Sequence, residues 1–348
     1  MGNTMRASYL LKQGEVAIKE VPLPELEADE VLVKVAAVGV CGSDVHYYQH
    51  GKIGPYVVDQ PLILGHELSG TITAVGQSVD PGRIGQRVAV EPQRPCRDCE
   101  QCVAGRYNLC PKIEFYATPP IDGAFAEFVK IQSDFAFEIP DNVSFEAAAL
   151  IEPLSVCIWA AKRAEIKLGS RVLIAGAGPI GVIMAQVASA FGASEVIITD
   201  ITEDRRKFAL QYGATKAIDP RTEEVEGLKV NAFVDASGVA QAVYSGIKAV
   251  GPAGHVLLVG LGTDDMNLPV SHIQNNEIWV TGVFRYANTW PTGIELVSSG
   301  KVNLDVLVTH TFGLDEVEDA LNAGKQPGSM KIIVKPGLKL QSINQTTN

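Results

Sequence analysis

The sequence lacks long apolar segments, a hydrophobic leader and basic runs. No apolar run reaches the roughly eighteen residues that a membrane-spanning helix needs. The first residues, MGNTMRASYLLKQGE, lack the long apolar core of a secretory signal. We therefore expect neither membrane insertion nor secretion, and we place the protein in the cytoplasm.

Positive charge is also scarce. The chain has 29 Lys and Arg residues against 40 Asp and Glu residues, a formal net charge of -11. Phosphate backbones would be repelled on average, and no basic run offers a local exception, so nucleic acid is a poor partner and we expect none. The acidity fits a neutral substrate better than an anionic one.

Cysteine is sparse and unevenly distributed. Of the six cysteines, four lie in the polar segment RPCRDCEQCVAGRYNLCP. In a cytoplasmic chain such a cluster predicts a metal site and not disulfides. Soft sulfur in tetrahedral number is what a structural zinc needs, and the ligands are Cys96, Cys99, Cys102 and Cys110. The alternative, four unpaired buried cysteines, fits poorly with so polar a segment.

The 348 residues are enough for two domains, and the sequence pattern changes near residue 155. Before it, short β-rich runs such as EVLVKVAAVGVC and LSGTITAVG predict a mostly antiparallel domain. After it, apolar strands alternate with helical stretches, which predicts an α/β domain with a parallel sheet. We place the first domain at 1–154 with a metal lobe at 94–112, the inserted domain at 155–283, and the return to the first at 284–348. The polar C-terminal GLKLQSINQTTN is expected to fray.

A glycine-rich turn predicts a dinucleotide site in the inserted domain. A strand at 171–175 runs into Gly176-Ala177-Gly178-Pro179-Ile180-Gly181 and then an apolar helix. The glycines let the backbone approach a pyrophosphate at the helix N-terminus, as in a doubly wound Rossmann sheet. The next strand ends in Asp200, whose carboxylate can bind the ribose hydroxyls and would repel a 2′-phosphate. We therefore predict NAD over NADP. Arg205 and Arg206 follow closely; they could contact a phosphate, pack beside adenine or lie on a solvated helix face.

A second set of metal ligands is dispersed along the chain. The segments are VGVCGSDVH, GHELSG and IEP, which contain Cys41, His66, Glu67 and Glu152. Each piece alone is ambiguous, because single histidines and cysteines are often structural. A catalytic zinc needs three protein ligands and one open position. Cys41, His66 and a carboxylate would supply that set.

These residues resemble those of the zinc-containing medium-chain dehydrogenases, and within them the sorbitol (polyol) dehydrogenases. The similar segments follow one another in the family's order over nearly the whole chain: VGVCGSDVHYY, GHELSGTITAVG, FYATPPIDGAFAEF, IPDNVSFEAAALIEPLSV, GAGPIG and GVFRYANTWP. The resemblance implies a GroES-like catalytic domain, one catalytic and one structural zinc, and NAD. Animal members generally lack the four-cysteine lobe, which implies a source outside the animals.

The resemblance also implies roles for residues near the catalytic zinc. Cys41, His66 and Glu67 match zinc ligands, while Glu152 matches a glutamate that contacts the zinc-bound water or takes its place as ligand. Ser43 and His46 fall at the family's hydroxyl and histidine relay positions, although His46 could equally be a surface histidine.

Other residues match substrate and cofactor positions. Arg285 and Tyr286 resemble the polyol enzymes' substrate segment, where the arginine can bind substrate oxygens or Glu152. Tyr47 and Phe115 either line the pocket or pack in the core. Beyond the glycine-rich turn, Asp200 and Arg205, we expect cofactor contacts from Val259, Gly260, Val283, Phe284 and Arg285.

The function implied is reversible hydride transfer from a secondary hydroxyl of a polyol, of sorbitol or xylitol type, to NAD, giving a ketose. The alternative within enzymes is another secondary alcohol, of butanediol or threonine type. A zinc-binding module without catalysis is opposed by the acidic charge and the complete dinucleotide motif. The family also suggests a homotetramer.

Overall fold

The computed structural model describes residues 3–338. Its strands, in chain order, are β1 (Thr4–Lys12), β2 (Glu15–Pro22), β3 (Glu30–Gly39), β4 (Lys52–Ile53), β5 (Tyr56–Val57), β6 (Leu62–Ile63), β7 (Glu67–Val75), β8 (Arg87–Val90), β9 (Gln93–Arg94), β10 (Glu114–Phe115), β11 (Phe128–Gln132), β12 (Ala136–Glu138), β13 (Arg171–Ala175), β14 (Glu195–Thr199), β15 (Lys216–Ile218), β16 (Val230–Asp235), β17 (Val250–Leu258), β18 (Trp279–Gly282), β19 (Val308–Gly313) and β20 (Lys331–Lys335). Its α-helices are α1 (Gly42–His50), α2 (Glu100–Val103), α3 (Phe145–Ala149), α4 (Ile151–Arg163), α5 (Pro179–Ala190), α6 (Glu203–Gln211), α7 (Ala240–Lys248), α8 (Val270–Asn275), α9 (Trp290–Ser298) and α10 (Val317–Ala323). Of the terminal run expected to fray, residues 339–348 lie outside the described part.

The chain divides into two compact units. Among the described residues, unit 1 contains 3–94, 114–150 and 308–338, and unit 2 contains 95–113 and 151–307. The segment that carries the four clustered cysteines therefore belongs to unit 2. The domain boundaries given from the sequence stay a prediction.

The main sheet of unit 1 places the end of β3 beside the start of β7. Its order is β12-β8-β7-β3-β20-β19, with β11 also paired to β3, and most of its pairs are antiparallel. The central strand β3 is rich in valine and buried along most of its length, which fits the preference of β-branched residues for a packed sheet. The register pairs Gly39 with Glu67 and Val38 with Val334. The residues that follow β3 and those that precede β7 therefore lie close together, at the same end of these two neighbouring strands.

Unit 2 is built on a parallel sheet. Its order is β15-β14-β13-β16-β17-β18, with every pair parallel. The central strands β13 and β16 are short, apolar and buried, as expected for strands covered on both faces. This strand order is that of a doubly wound dinucleotide-binding sheet, whose ligand sits at the carboxyl ends of its strands. The predicted fold class is confirmed.

Residues 3–338 contain no helix that is both long and apolar enough to cross a membrane.

Candidate active site and metal centres

Three potential zinc ligands of unit 1 lie together. Cys41 follows β3 directly, His66 precedes β7, and Glu67 is the first residue of β7. One sulfur, one imidazole nitrogen and one carboxylate oxygen from these residues lie within 4.8 Å of one another. His66 and Glu67 are buried and Cys41 is half-buried. Such a mixed set of three donors fits a zinc ion with a position left for a further ligand.

Asp44 ties the cluster together from α1. The carboxylate is fully buried; Oδ2 accepts a hydrogen bond from the backbone N–H of Cys41 at 2.9 Å, and Oδ1 accepts one from Gly65 at 2.9 Å. The same Oδ1 lies 3.6 Å from Nδ1 of His66. A carboxylate behind a ligating imidazole fixes the orientation of the ring and raises its basicity.

The electrostatics at His66 reflect these neighbours. Burial by itself lowers the pKa of His66, but the Asp44 carboxylate and the Cys41 thiol group act against it, and the net effect raises the pKa well above its usual value. The surroundings of the imidazole are therefore negative, and they favour a cation. A metal ion would meet that demand by displacing the proton.

Glu67 lies against a lysine from β20. Nζ of Lys331 lies 2.7 Å from Oε1 and 2.5 Å from Oε2 of Glu67, and it also donates to the carbonyl of Val40 at 3.0 Å. Both side chains are buried. Gly39 makes room for the carboxylate, because a Cβ there would lie 2.0 Å from Oε2 of Glu67. The negative charge of Glu67 thus has a fixed partner inside the protein.

The remaining unit 1 candidates surround this cluster. Ser43 is half-buried, whereas His46 is exposed on α1, with its ring 4.5 Å from that of His50. Tyr47 and Phe115 are buried, and the ring of Phe115 lies 5.4 Å from that of His66. The structure thus places Phe115 beside His66, and Tyr47 on the buried side of α1.

In unit 2, Glu152 and Tyr286 form a buried pair. Glu152 lies in the first turn of α4, and the hydroxyl of Tyr286 donates to its Oε1 at 2.7 Å. Tyr286 is fully buried, and its ring lies 4.9 Å from that of Trp290. The half-buried Arg285 lies over the ring of Phe284, at 4.7 Å.

The four clustered cysteines of unit 2 also lie together. A sulfur from each of Cys96, Cys99, Cys102 and Cys110 lies within 4.8 Å of the others. Backbone N–H groups point at two of these sulfurs, from Cys96 to Cys110 at 3.4 Å and from Cys102 to Cys99 at 3.5 Å. Four sulfurs so arranged fit a closed structural zinc site. We call residues 95–113 the cysteine lobe.

The glycine-rich turn of unit 2 has the geometry of a pyrophosphate cradle. β13 ends at Ala175, and α5 begins at Pro179 with Gly178 as its N-cap. A Cβ at Gly181 would lie 1.8 Å from the carbonyl oxygen of Gly176, so only glycine permits this turn. Ile180 lies in the first turn of α5, whose free N–H groups favour an anion.

Asp200 follows β14 and is anchored beside the turn. Its Oδ2 accepts from the N–H of Ala177 at 2.9 Å, and its Oδ1 from that of Thr202 at 2.8 Å. Arg206 donates to the carbonyl of Asp200 at 2.6 Å and pairs with Asp219 at 3.2 Å. Arg206 is therefore engaged within the fold.

The other cofactor candidates of unit 2 lie at or near the carboxyl ends of its strands. The guanidinium of Arg205 lies near Gly178, 4.0 Å from where a Cβ would be. The N–H groups of Val259 and Gly260 both donate to the carbonyl of Asp235, and Val283 donates to that of Leu258. Phe284, the next residue, is exposed.

Sequence reasoning missed two residues that contact the unit 1 cluster. Asp44 carried a local signal, since a carboxylate three residues after Cys41 can accept the backbone N–H at the start of a helix. Lys331 carried none, because it lies 264 positions after Glu67 and only the pairing of β20 with β3 brings it there.

Two family models match the chain. The alcohol dehydrogenase GroES-like domain matches residues 27–141, and the zinc-binding dehydrogenase model matches residues 179–299. Sorbitol dehydrogenase of Bacillus subtilis is 45% identical over 95% of this chain and 97% of its own length. Sorbitol dehydrogenase of Mus musculus is 42% identical over 92% of this chain and 93% of its own length.

Solved structures show the same fold. An Escherichia coli oxidoreductase/dehydrogenase of unknown specificity has a TM-score of 0.91 at 33% identity, covering 95% of this chain and 99% of its own. A zinc-binding dehydrogenase of Sinorhizobium meliloti bound to NADP has a TM-score of 0.89 at 30% identity, covering 96% and 100%. With two family models and relatives of this identity over nearly the full length, the chain belongs to the zinc-containing medium-chain dehydrogenases, in the sorbitol dehydrogenase family.

Proposed function

We propose that the chain is an NAD-dependent zinc polyol dehydrogenase, which oxidises a secondary hydroxyl of a sugar alcohol to a ketone and reverses the reaction. The observation that carries the proposal is the group of Cys41, His66 and Glu67, whose three different donor atoms lie within 4.8 Å of one another. The sorbitol dehydrogenases among its relatives support the choice of a polyol.

In this proposal Cys41, His66 and Glu67 hold the catalytic zinc, and the cysteine lobe holds a structural one. When bound, zinc supplies a Lewis acid that lowers the pKa of an alcohol, and NAD supplies the hydride acceptor. Asp44 holds the imidazole of His66 in one orientation, through its contact with Nδ1. Lys331 balances the charge of Glu67, so that the metal site is less negative than it would be without this lysine.

We propose two separate groups for proton handling. The carboxylate of Glu152, which lies beside the hydroxyl of Tyr286, can accept a hydrogen bond from a substrate hydroxyl. Ser43 and His46 provide a second route, in which the exposed imidazole of His46 passes the proton to solvent. Arg285 would donate to the other hydroxyls of the polyol and so orient the chain of carbons.

The choice of NAD over NADP rests on Asp200. Its carboxylate lies at the turn where the adenosine ribose is expected, and a 2′-phosphate there would meet like charge. Arg206 is paired with Asp219, which leaves Arg205 as the cation near the turn. Asp200→Ala is expected to lower the preference for NAD at least about tenfold, measured as the ratio of kcat/KM for NAD and NADP. A wild-type preference for NADP would refute the assignment.

A panel of alcohols tests the substrate class. Zinc-loaded enzyme would be given sorbitol, xylitol, ribitol, galactitol and arabinitol, with 2,3-butanediol and threonine as the competing classes, and NADH formation would be followed by absorbance. The proposal expects a polyol to have the highest kcat/KM. A butanediol or threonine that exceeds every polyol would overturn it.

We further propose a cytoplasmic homotetramer. The described structure leaves all six cysteines free, and reduced thiols suit a reducing compartment. Light scattering of the purified, zinc-loaded protein would give the mass of the assembly; a monomer of 37.2 kDa would contradict the tetramer.

A further inference from the structure

The substrate segment of unit 2 has an unfavourable backbone that needs external support. Arg285 and Asn288 are not glycines, yet they adopt positive φ angles of 52° and 56°. This left-handed region crowds Cβ against the neighbouring carbonyl, which asparagine tolerates but a long side chain such as Arg285 adopts only where surrounding contacts hold it there. Both residues lie within the stretch 284–288, which includes Tyr286.

Three hydrogen bonds from the cysteine lobe hold the two ends of this stretch. At one end, the side-chain amide of Asn108 donates to the carbonyl of Phe284 at 2.8 Å. At the other, the backbone N–H of Asn288 donates to the hydroxyl of Tyr107 at 2.7 Å, and its side-chain amide donates to the carbonyl of Gly105 at 2.9 Å. The lobe therefore contacts the stretch on both sides of Tyr286.

The lobe residues that make these bonds lie between two of the four cysteines. The N–H of Gly105 donates to the carbonyl of Cys102 at 3.0 Å, and the N–H of Cys110 donates to that of Tyr107 at 3.0 Å. Asn108 is buried, at 2% exposure. A tetrahedral ion on the four sulfurs would fix both ends of this short loop, and with them the positions of the three bonds.

Tyr286, in the middle of the stretch 284–288, contacts Glu152. Tyr286 is fully buried and donates to Glu152 at 2.7 Å. A shift of the stretch would move this hydroxyl and the neighbouring guanidinium of Arg285 together. A displacement of about 1 Å in a positioning group is enough to impair catalysis strongly.

We infer that the cysteine lobe is a positioning element for polyol recognition: through Gly105, Tyr107 and Asn108 it holds the stretch 284–288 and so aims Arg285 and Tyr286. This rests on the proposed function in one respect, the role of Arg285 and Tyr286 toward the polyol. The lobe then has more than a local role, because the loop between its cysteines Cys102 and Cys110 also makes the hydrogen bonds to the stretch 284–288.

The test substitutes Asn108 in the zinc-loaded enzyme. Asn108→Ala removes the donor to Phe284 and leaves all four cysteines in place. We expect two zinc ions per chain as in wild type, a KM for NAD within about twofold, and a KM for the polyol raised about tenfold, the effect of one lost buried hydrogen bond. The matched control is Val103→Ala in the same lobe, where the side chain is 78% exposed; it should leave both KM values unchanged.

A second readout needs no substrate. Tyr286 packs on Trp290, so near-ultraviolet circular dichroism reports on the packing of the stretch. Asn108→Ala and the lobe variant Cys99→Ser should both change this signal, and Val103→Ala should not. If Cys99→Ser does not fold, Asn108→Ala carries the test alone.

The outcomes separate the two proposals. Wild-type enzyme that oxidises no polyol refutes the proposed function, while the dichroism still decides whether the lobe holds the stretch. Active wild-type enzyme with an Asn108→Ala variant of unchanged polyol KM and unchanged dichroism refutes the positioning role. A Cys99→Ser variant that has lost the lobe zinc but keeps the wild-type polyol KM refutes it as well.

Discussion

The two metal-ligand clusters of this protein differ in donor atoms, burial and surroundings. The unit 1 cluster combines sulfur, nitrogen and oxygen donors, and it lies among the buried charges of Asp44 and Lys331. The cysteine lobe offers four sulfurs, and only Cys110 of its four cysteines is buried. Three mixed donors leave a coordination position for a substrate, whereas four thiolates close the tetrahedron. Among the described residues, buried charged side chains therefore surround the unit 1 cluster, which is proposed to be catalytic, and not the proposed structural site.

The thiols of the lobe are also unlike one another before a metal binds. The backbone N–H of Cys102 lowers the pKa of Cys99 to about 7, while burial raises the pKa of Cys102 to about 12. At neutral pH one thiol is thus partly ionised and another holds its proton. Metal binding must therefore release protons from the lobe, and its zinc affinity should fall as the pH falls.

The largest expected effect separates the two clusters directly. His66→Ala removes one of the three proposed unit 1 ligands and leaves the lobe unchanged. Loss of the Lewis acid costs several kcal/mol of transition-state stabilisation, so kcat/KM should fall by about 10³-fold or more. Metal analysis should find about one zinc per chain, and NADH binding should persist. His310→Ala, a histidine outside the cluster, is the control. Loss of both zinc ions from His66→Ala would break the distinction between the clusters.

The next effect concerns the buried partner of Glu67. Lys331→Met leaves that carboxylate buried without its cation, which typically costs about 3–5 kcal/mol of unfolding free energy. The loss should be larger in chelator-treated protein than in zinc-loaded protein, because the metal would also neutralise Glu67. Urea unfolding of both forms measures it.

The matched control for Lys331 is Lys335→Met, from the same strand. Lys335 pairs with Glu146 at a partly exposed position, where an ion pair contributes at most about 1 kcal/mol. If the two substitutions lower the free energy of unfolding equally, the burial of the Lys331–Glu67 pair does not increase its contribution to stability.

A smaller effect is expected from the carboxylate behind His66. Asp44→Asn weakens the acceptor for Cys41, Gly65 and the imidazole, and supporting groups of this kind typically change metal affinity by about 10–100-fold. Competition with a chromogenic chelator would show one zinc released more readily and the lobe zinc unchanged. Asp59→Asn, at an exposed position, should leave both zinc ions as in wild type.

The smallest effect tests the space behind Glu67. In Gly39→Ala the new Cβ would displace Oε2 of Glu67, so the unit 1 zinc affinity should fall by about tenfold. Gly42→Ala is the control, because a Cβ there meets nothing within 4 Å. If chelator competition finds the two alanine variants alike, Glu67 does not need the position that the structure gives it.

Much of the fold followed from local patterns. The alternation of apolar strands with helices predicted the parallel sheet, because a strand covered on both faces is apolar throughout and a crossover helix must follow it. The glycine-rich turn and the cysteine lobe were also predicted from local sequence, because the residues that form each of them lie close together in the chain. Cys41, His66 and Glu67 were proposed as zinc ligands by resemblance. The 24 residues between Cys41 and His66 gave no information on how close these side chains lie.

The sequence by itself determined the α/β class, the dinucleotide turn at Gly176–Gly181 and the four sulfurs of the lobe, since each depends on residues near one another in the chain. Only the tertiary structure placed Lys331 on Glu67, Asp44 behind His66, and Asn108 on the carbonyl of Phe284. The reason is physical: strand pairing and burial bring distant residues together. A buried charge or a strained turn is stable only where a residue from elsewhere in the fold forms an ion pair or a hydrogen bond with it.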